Sequence, residues 1–282
     1  MQRLIVHALK EKDGFLLGIV IKVKANMPPK QTQKKLSKAK EKKLKRKQEQ
    51  AEIALLLKKI KSANEVEDYM VHFAPFKTYS QNGLNAKISY GSPANTSPDD
   101  LQWMFQLLKD NMEEIYRSND FRWKDREKFE ELSHESSRYL IARDAISEKP
   151  LGFVSLRFDL DDDVDVVYCY EIQLSVDARR KGLGKFLMQL LELIGHKANM
   201  TKIVLTVFKD NLASNHFFRE KLRYKEDDTS PLFFDPMNPD DYTYSIISKE
   251  LLLGGGKVDK QIKKTAAPET VLTNTTNTTN TN

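Results

Sequence analysis

The spacing of apolar residues predicts alternating strands and helices between residues 84 and 248. Runs rich in β-branched and aromatic residues predict strands at Leu84–Tyr90, Tyr139–Arg143, Leu151–Asp159, Val164–Leu174, Lys202–Phe208 and Tyr242–Ser248. Apolar positions three and four apart predict helices at Pro98–Ser118, Lys124–Leu132, Gly184–Ala198 and Leu212–Leu222. This order predicts an α/β fold in which a mixed central sheet is flanked by helices on both faces.

The two ends of the chain differ in composition from this middle part. Leu4–Leu9 and Phe15–Val23 flank an Asp-Gly turn signal and could pair as a hairpin. Met27 could be an alternative start, and we expect residues 1–36 to be a disordered or dispensable extension. Neither apolar run is long enough to span a bilayer, so no membrane contact is expected. Residues 251–282 end in Asn/Thr repeats, which predicts a low-complexity tail after one domain at 63–250.

Positive charge is concentrated towards the N-terminus. The 282-residue chain has a net charge of +6, yet residues 1–62 hold 18 Lys and Arg against five Asp and Glu, so residues 63–282 carry a net charge of −7. A basic arm of this kind could contact nucleic acid or the ribosome, or it could be solvated surface. The acidic remainder suits a cationic substrate.

The basic arm at residues 37–62 also carries an apolar stripe. From about Gln48 the chain is predicted to be helical, because four apolar side chains recur at helical spacing, namely Ile53, Leu56, Leu57 and Ile60. We expect this helix to dock on the body of the protein. Lys30–Lys47 holds ten Lys and Arg against one acid, Glu41, and is expected to be disordered alone.

Cysteine and aspartate usage limits the possible metal chemistry. The chain has one cysteine, Cys169, which excludes an internal disulfide and a cysteine-cluster metal site and fits a reducing, intracellular setting. Five aspartates fall within seven residues of the loop expected before the strand Val164–Leu174: Asp159, Asp161, Asp162, Asp163 and Asp165. Their spacing lacks the closing glutamate of a calcium loop. We therefore expect no metal.

A basic loop that contains glycine follows the strand Val164–Leu174. The sequence Arg179-Arg-Lys-Gly-Leu-Gly-Lys185 leads into the helix predicted from Gly184. Glycine lets the backbone approach a ligand closely, and the free N–H groups of a helix start bind phosphate, as do basic side chains. The pattern predicts an anion site, most simply for a pyrophosphate, although helix starts with basic loops are common without such a ligand. It lacks the third glycine of the dinucleotide fingerprint.

Two motifs resemble those of the GNAT superfamily of acetyltransferases. Arg179-x-x-Gly182-x-Gly184 is similar to that family's coenzyme A loop, and Asn211, followed by an aromatic helix through Tyr224, is similar to its second signature. The resemblance implies the GNAT fold and acetyl-CoA as co-substrate. It also implies a set of cofactor-binding residues: Gln173, Leu174, Arg179, Arg180, Lys181, Gly182, Leu183, Gly184, Lys185 and Asn211.

The resemblance narrows to the N-alpha-acetyltransferase D type, whose members acetylate the N-terminal amine of core histones. Similar segments begin at Ser37, Trp123, Tyr168, Arg179 and Leu205, and the likeness covers about Ser37–Ser248. Phe121 departs from it, because the family tends to have tryptophan at that position. The resemblance implies acetyl transfer to a protein N-terminus, histone tails that begin Ser-Gly-Arg-Gly as the substrate, and a location in the nucleus and the cytoplasm.

One acidic residue interrupts an otherwise apolar and aromatic strand. Glu171 lies in Val166–Leu174, where burial of a carboxylate would be costly and would raise its pKa. Attack on a thioester needs a free amine, so a carboxylate that takes the proton directly or through one water is a candidate general base. The resemblance implies this role for Glu171. The alternative is a carboxylate paired with a nearby Arg or Lys.

The resemblance also implies a peptide site. Asp159 and Asp161 match acids that grip an arginine at the third position of the substrate, and the matching aromatic residues are Tyr116, Trp123, Tyr168, Tyr170 and Tyr244. Strict strand alternation places Tyr170 and Glu171 on opposite faces, so both reach one site only if the strand contains a bulge. From the residues alone, these aromatics are more typical of core than of a site, Cys169 is assigned to packing, and the acidic run could be a solvated turn.

Two other functions stay open from the sequence. A GNAT enzyme could acetylate a lysine side chain or a small amine, although the ε-amine of lysine, with a pKa of about 10.4, demands a stronger apparatus for deprotonation. The chain could also be a non-enzymatic nucleic-acid or ribosome-binding module led by residues 30–62. That function leaves the loop Arg179–Gly184 unexplained.

Overall fold

The structure, a computed structural model, describes residues 38–119 and 121–251. All of them lie in the first of two compact units, Met1–Leu252. The expected extension at 1–36 with its possible hairpin lies outside the described residues, as does the expected tail at 251–282 apart from Leu251. Within the part of the chain that is described, no helix is long and apolar enough to cross a membrane.

Eight strands form one sheet. In chain order they are β1 (Thr78–Gln81), β2 (Leu84–Gly91), β3 (Arg138–Asp144), β4 (Pro150–Asp161), β5 (Val164–Leu174), β6 (Lys202–Phe208), β7 (Lys225–Glu226) and β8 (Tyr244–Glu250). Their order across the sheet is β1-β2-β3-β4-β5-β6-β8-β7. Every neighbouring pair is antiparallel except β5 and β6, which run parallel. The predicted mixed sheet is confirmed, and β1 and β7 are additions to it.

The helices alternate with the strands as the sequence predicts. They are α1 (Lys38–Asn64), α2 (Pro98–Ser118), α3 (Asp125–Leu132), α4 (Leu183–Lys197), α5 (Leu212–Asn215) and α6 (Pro231–Phe234), with short 3-10 helices at Tyr69–His72, Ala74–Lys77, Val176–Ala178 and Pro239–Asp241. The helix predicted at Leu212–Leu222 is divided, because His216–Lys221 is π-helical. Leu222 accordingly donates its N–H to the carbonyl of Phe217, five residues back.

Side chains of β5 alternate between two apolar cores on opposite faces of the sheet. Val167 belongs to a core that also holds Ile60 of α1 and Leu187 of α4. Val166, its neighbour, belongs to a core on the other face that includes Tyr116 of α2. The prediction of helices on both faces is therefore confirmed. The end of β5 and the helices around it are what position the site described below.

Helix α1 begins earlier than the sequence predicts. It starts at Lys38 rather than near Gln48, so the expectation of disorder is wrong for Lys38–Lys47. Adding a residue to an existing helix is far easier than starting one, because the first turn has already been fixed. The docked half can therefore be extended towards Lys38 at low cost, and an exposed ion pair between Lys45 and Glu49, at 3.5 Å, adds modest support.

The docked half of α1 uses a slightly different stripe from the one predicted. Ile60 and Ala63 are buried and Ile53 is half-buried, whereas Leu57 is 50% exposed. Steps of three and four residues from Ile53 follow one side of the helix, while Leu57 lies round the edge of that side. Lys59 Nζ adds an ion pair at 2.6 Å to Asp165 of β5, whose carboxylate is buried.

Candidate active site

A β-bulge in β5 determines the geometry of the site. Ser155 of β4 pairs with Glu171, but its successor Leu156 pairs with Cys169, so Tyr170 is an extra residue without an opposite partner. The side chains of Tyr170 and Glu171 therefore escape strict alternation. Both line one cleft, as does Cys169. The bulge on which the predicted site depends is present.

The cleft lies where β5 and β6 separate. These strands pair only through Val166–Tyr168 and Lys202–Val204, although β5 continues to Leu174 and β6 to Phe208. Residues beyond the paired segment line the cleft from both strands, including Glu171, Gln173, Thr206 and Phe208. The open strand edges offer backbone N–H and C=O groups to an extended ligand that carries amides of its own.

The carboxylate of Glu171 lies on the border between the cleft and the protein interior. Burial raises the pKa of Glu171 to about 7, against the opposing effects of the Lys128 ammonium and a hydrogen bond from Gln173. That bond runs from Gln173 Nε2 to Glu171 Oε2 at 2.9 Å. Glu171 is not locked in an ion pair, which was its alternative role, since no salt bridge to it occurs among the described residues. A carboxyl with a pKa near 7 can accept a proton at physiological pH.

Four predicted aromatic residues of the peptide site belong to a single buried cluster beside the cleft: Tyr116, Tyr168, Tyr170 and Tyr244. The rings of Tyr168 and Tyr170 lie 4.9 Å apart, and the Tyr168 hydroxyl is 2.7 Å from Thr206 Oγ1. The guanidinium of Arg157 lies over the ring of Tyr170, 4.3 Å from its centroid, which fixes that ring by a cation–π contact.

The hydroxyl of Tyr116 accepts a hydrogen bond from a buried lysine, Lys128, that the sequence does not single out. Lys128 Nζ donates to Tyr116 Oη at 2.8 Å and to Glu131 Oε2 at 2.7 Å, and the lysine is 1% exposed. Burial opposes the charged form of Lys128, but Tyr116 and Glu131 outweigh it and keep its pKa above the usual value. Lys128 is therefore a fixed cation near Glu171. The Tyr116 hydroxyl is in turn oriented by the hydrogen bond that it accepts from Lys128.

Trp123 and Phe121 extend the aromatic cluster. The Trp123 ring packs 5.4 Å from that of Tyr116, and its Nε1 donates to Asp125 at 2.6 Å. Phe121 contacts the rings of Phe208 and Tyr244, at 5.5 and 6.5 Å between centroids. Phenylalanine at position 121 thus preserves an aromatic surface. The Tyr244 hydroxyl is buried and has no hydrogen-bond partner among residues 38–119 and 121–251.

The five aspartates do not form one loop, contrary to the expectation. Asp159 and Asp161 lie on β4 and are partly exposed, and only Asp162 and Asp163 form the turn, with φ of 48° and 59°. Asp165 is buried in β5 and accepts from Lys59 and Thr201. The turn is short because two residues in the left-handed region suit the twist of a β-hairpin. Asp159 and Asp161 alternate with Phe158 and Leu160, so they share the face of Tyr168.

The basic loop runs from β5 into the start of α4. Arg180 and Gly182 have positive φ of 57° and 86°, and Gly182 is the N-cap of α4, without a side-chain cap. The first N–H groups of α4 therefore point out of the helix end together, which suits an anion. Four cations border this end as predicted: Arg179, Arg180, Lys181 and Lys185. Leu183 and Gly184 are buried beneath it.

The hairpin β1–β2 clamps the basic loop from outside. Tyr79 Oη and Asn82 Nδ2 both donate to the carbonyl of Lys181, the latter at 3.1 Å. A Cβ atom on Gly182 would lie 2.5 Å from Tyr79 Oη. The sequence offered a signal for this hairpin, since Asn82-Gly83 is a favoured turn dipeptide and both residues have positive φ. Its contact with a loop about a hundred residues later had no local signal.

Three further predicted cofactor residues are placed along the same path. The carbonyl of Leu174 accepts from Arg179 Nε at 3.2 Å. Gln173 lines the cleft, but its side chain is bonded to Glu171 and Asn111. Asn211 also lines the cleft and caps α5 by accepting from Ser214 N at 3.1 Å. The backbone of Gln173 is thus better placed than its side chain to meet a ligand.

Metal ligands are not clustered in the part of the chain described. Across residues 38–119 and 121–251, no group of three or more His, Cys, Asp or Glu side chains is placed to hold an ion. Cys169 is a free, buried thiol whose pKa is raised by burial and by Glu171. A thiol with a raised pKa is a poor nucleophile, which agrees with its assignment to packing.

Known proteins include several that are similar to parts of this chain. Residues 104–223 match the acetyltransferase (GNAT) family. Solved structures with a similar fold include an acetyltransferase from Streptococcus agalactiae (20% identity, TM-score 0.44, covering 59% of this chain and 98% of that one). Another is PaiA N-acetyltransferase from Thermoplasma acidophilum, in complex with coenzyme A (17% identity, TM-score 0.42, covering 58% of this chain and 99% of that one). A third is the ribosomal-protein-S18-alanine N-acetyltransferase from Escherichia coli (17% identity, TM-score 0.41, covering 61% of this chain and 98% of that one).

The family match covers the elements that build the site. Residues 104–223 include most of α2, the bulged strand β5, the basic loop with α4, and β6 with α5. Acetyltransferases of this family use acetyl-CoA. The described part of the chain therefore has a mixed α/β fold of the GNAT type, and its residues 104–223 are similar to the acetyltransferase (GNAT) family.

Proposed function

We propose that this enzyme transfers the acetyl group of acetyl-CoA to the N-terminal α-amine of a protein. The observation that carries the proposal is the position of Glu171, beside the bulge and in the cleft between the separated strands, with a pKa raised to about 7. An α-amine has a pKa of about 7.7–8.0, so a base of this strength can deprotonate it near neutral pH. A lysine ε-amine, with a pKa of about 10.4, is a poorer match.

Each part of the site has one role in this reaction. Acetyl-CoA supplies the thioester whose carbonyl carbon is attacked. The basic loop and the start of α4 hold its pyrophosphate, and the open edges of β5 and β6 hold its extended arm. Glu171 takes one proton of the substrate ammonium, directly or through one water, so that the nitrogen lone pair can attack the thioester carbonyl carbon. The new amide bond forms as the C–S bond breaks, and coenzyme A leaves as a thiolate that takes up the second proton lost by the nitrogen. Tyr170 and its neighbours exclude water from the reacting atoms.

We further propose that the protein substrate carries an arginine at its third position, as in histone tails that begin Ser-Gly-Arg-Gly. Asp159 and Asp161 support this, because they share the Tyr168 face of the sheet and are partly exposed. Carboxylates hold a guanidinium through paired, charge-assisted hydrogen bonds. The buried hydroxyl of Tyr244 offers a further donor to a peptide. With a histone substrate, we propose that the enzyme acts in the nucleus and the cytoplasm.

The exposed half of α1 suggests a second contact, which we propose is with the phosphate backbone of nucleic acid, including that of the ribosome. Its basic side chains are solvent-exposed along a regular helix, and they include Lys42, Lys43, Lys45 and Arg46. Such a row of cations follows a polyanion without reading its sequence. This contact would bring the enzyme to its substrate and does not replace the catalytic function.

Gly182→Ala is expected to weaken acetyl-CoA binding at least tenfold, measured by calorimetry. The new Cβ meets Tyr79 Oη at 2.5 Å, and Tyr79 cannot withdraw because its ring is buried against Phe186, 5.0 Å away. Gly83→Ala is the matched control, since Gly83 also has a positive φ but open space at its Cβ. Equal affinities for the two variants would show that the clamped loop does not hold the cofactor.

Glu171→Gln is expected to lower kcat by about 10²–10⁴-fold while leaving the KM for the peptide nearly unchanged. Wild-type kcat should fall as the pH drops below about 7, because Glu171 is then protonated, and the variant should lose this limb. Glu135→Gln, at an exposed position, is the control. A variant with near wild-type kcat would remove Glu171 from the mechanism.

The same variant has an independent signature in stability. The pKa of Glu171 in the folded state lies above its unfolded value of about 4.3, so the folded protein loses stability as the pH rises from about 4.3 to about 7. Glu171→Gln removes that loss. Its melting temperature should therefore exceed that of the wild type by more at pH 8 than at pH 5.

Asp159→Asn with Asp161→Asn is expected to raise the KM for a Ser-Gly-Arg-Gly peptide at least tenfold and to leave acetyl-CoA affinity unchanged. Asp162→Asn with Asp163→Asn is the control, since it removes the same charge and asparagine tolerates the positive φ of the turn. A double-mutant cycle with the peptide's arginine changed to alanine measures the coupling. A coupling near zero would contradict the arginine contact.

Four alanine substitutions in the exposed half of α1, at Lys42, Lys43, Lys45 and Arg46, are expected to weaken binding to single-stranded RNA. They should also reduce the slope of log K against log salt concentration by about three, at roughly 0.7 per phosphate contact. Alanine preserves the helix. The control is Lys221→Ala with Lys225→Ala on the body. An unchanged slope would assign the arm to solvated surface.

A further inference from the structure

A chain of three hydrogen bonds connects the basic loop with Glu171. Arg179 Nη2 donates to Asn111 Oδ1 at 2.5 Å, and Asn111 Nδ2 donates to Gln173 Oε1 at 2.9 Å. Gln173 Nε2 then donates to Glu171 Oε2 at 2.9 Å. The chain therefore passes from the loop to α2, which carries Asn111, and from there to the end of β5.

The direction of every bond in this chain is determined by chemistry. Arginine has donors only, so the side chain of Asn111 must present its oxygen to Arg179 and its nitrogen to Gln173. A second contact imposes the same orientation, because Asn111 Nδ2 also lies 3.3 Å from the carbonyl oxygen of Leu174, which can only accept. Gln173 must then offer Oε1 to Asn111, which leaves Nε2 for Glu171.

We propose that Asn111 is a positioning residue that holds the Gln173 amide in the one orientation that donates a hydrogen bond to Glu171. The inference rests on the proposed role of Glu171 as the base. Without Asn111, the Gln173 amide can also turn its oxygen towards Glu171, an arrangement that suits only the protonated carboxyl group, because that group can donate to the oxygen. Arg179, at the other end, makes the orientation of the base depend on a residue of the cofactor loop.

The other groups that face Glu171 do not replace this donor. Lys128 and Glu131 approach from α3 and act in opposite directions on its charge, Tyr116 faces it from α2, and Cys169 shares its strand. Burial raises the pKa of Glu171, whereas Lys128 and the Gln173 bond restrain that rise to about 7. Gln173 is the one group that donates a hydrogen bond to the carboxylate among those that set its pKa, and its orientation is what Asn111 controls.

Asn111→Asp is the sharpest test, because the side chain keeps its size and its contact with Arg179 but loses its donors. An aspartate can only accept, so it competes with Glu171 for the Gln173 Nε2 donor, and each turn of Nε2 towards position 111 leaves Glu171 facing Oε1. The pKa of Glu171 should rise by about one unit, from the lost hydrogen bond and the new charge. Asn111→Leu, which adds no charge, should raise it by a smaller amount. Gln102→Glu makes the same amide-to-carboxylate change at an exposed position of α2 and should leave the pKa unchanged.

Two readouts on the full-length enzyme separate this inference from the proposed function. The pKa of Glu171 is read from its ¹³C carboxyl resonance, which Glu171→Gln identifies, and the acidic limb of kcat is read from acetyl transfer. If the resonance pKa of Glu171 and the pKa of the acidic limb of kcat both rise in the two Asn111 variants, the result supports the positioning role of Asn111 and the role of Glu171 as the base. A rise in the resonance pKa with an unmoved kinetic limb supports the positioning role but removes Glu171 as the base. An unchanged resonance pKa in Asn111→Leu overturns the inference, whatever the activity.

Discussion

The early end of pairing between β5 and β6 is the constraint on which the rest of the site depends. Two parallel strands that share three residue pairs and then separate leave their inner edges without strand partners. Such edges are normally costly, because buried backbone N–H and C=O groups need hydrogen bonds. Here they open into a cleft, and a ligand with amides can meet the need. The bulge at Tyr170 turns the strand at this place and directs two successive side chains into the opening.

The pKa of Glu171 is set by several opposing effects rather than by one strong ion pair. A carboxylate at the end of β5 loses solvation, which favours its protonated form, yet the buried cation Lys128 lies near it and Gln173 donates a hydrogen bond. Lys128 is itself held by Tyr116 and Glu131, so its charge cannot move towards Glu171. A direct ion pair would have held the carboxylate ionised and unable to act as a base of useful strength. The indirect arrangement leaves it titrating near neutrality.

The sequence predicted the strands and helices that carry the site because their periodicity is strong. It also predicted the basic loop, since glycine and cations at a helix start have a local meaning. The Tyr79 clamp, Lys128 and Asn111 were missed, because each acts on a residue distant along the chain and only the fold brings them together. Composition does not show which of several aspartates form a turn, so the sequence predicts one loop for the whole acidic run. The sequence includes Leu57 in the docked stripe because four apolar residues fit one helical face, and only packing determines the centre of that face.

The short seam between β5 and β6 also has a mechanical meaning. It joins β1–β5 to β6–β8 near one end of the strands, at Val166–Tyr168, while β5 continues for six residues to Leu174. At about 3.3 Å per residue, those residues form a lever roughly 20 Å long. A rotation of about 3° at the seam would move the far end by about 1 Å, which is comparable to the tolerance of a reacting geometry. The ion pair of Lys59 with Asp165, and the bond from Thr201 to the same carboxylate, brace the pivot of that lever. Through Lys59, helix α1 thus contacts the seam at the buried carboxylate of Asp165 and adds to the bracing of the strand that carries the site.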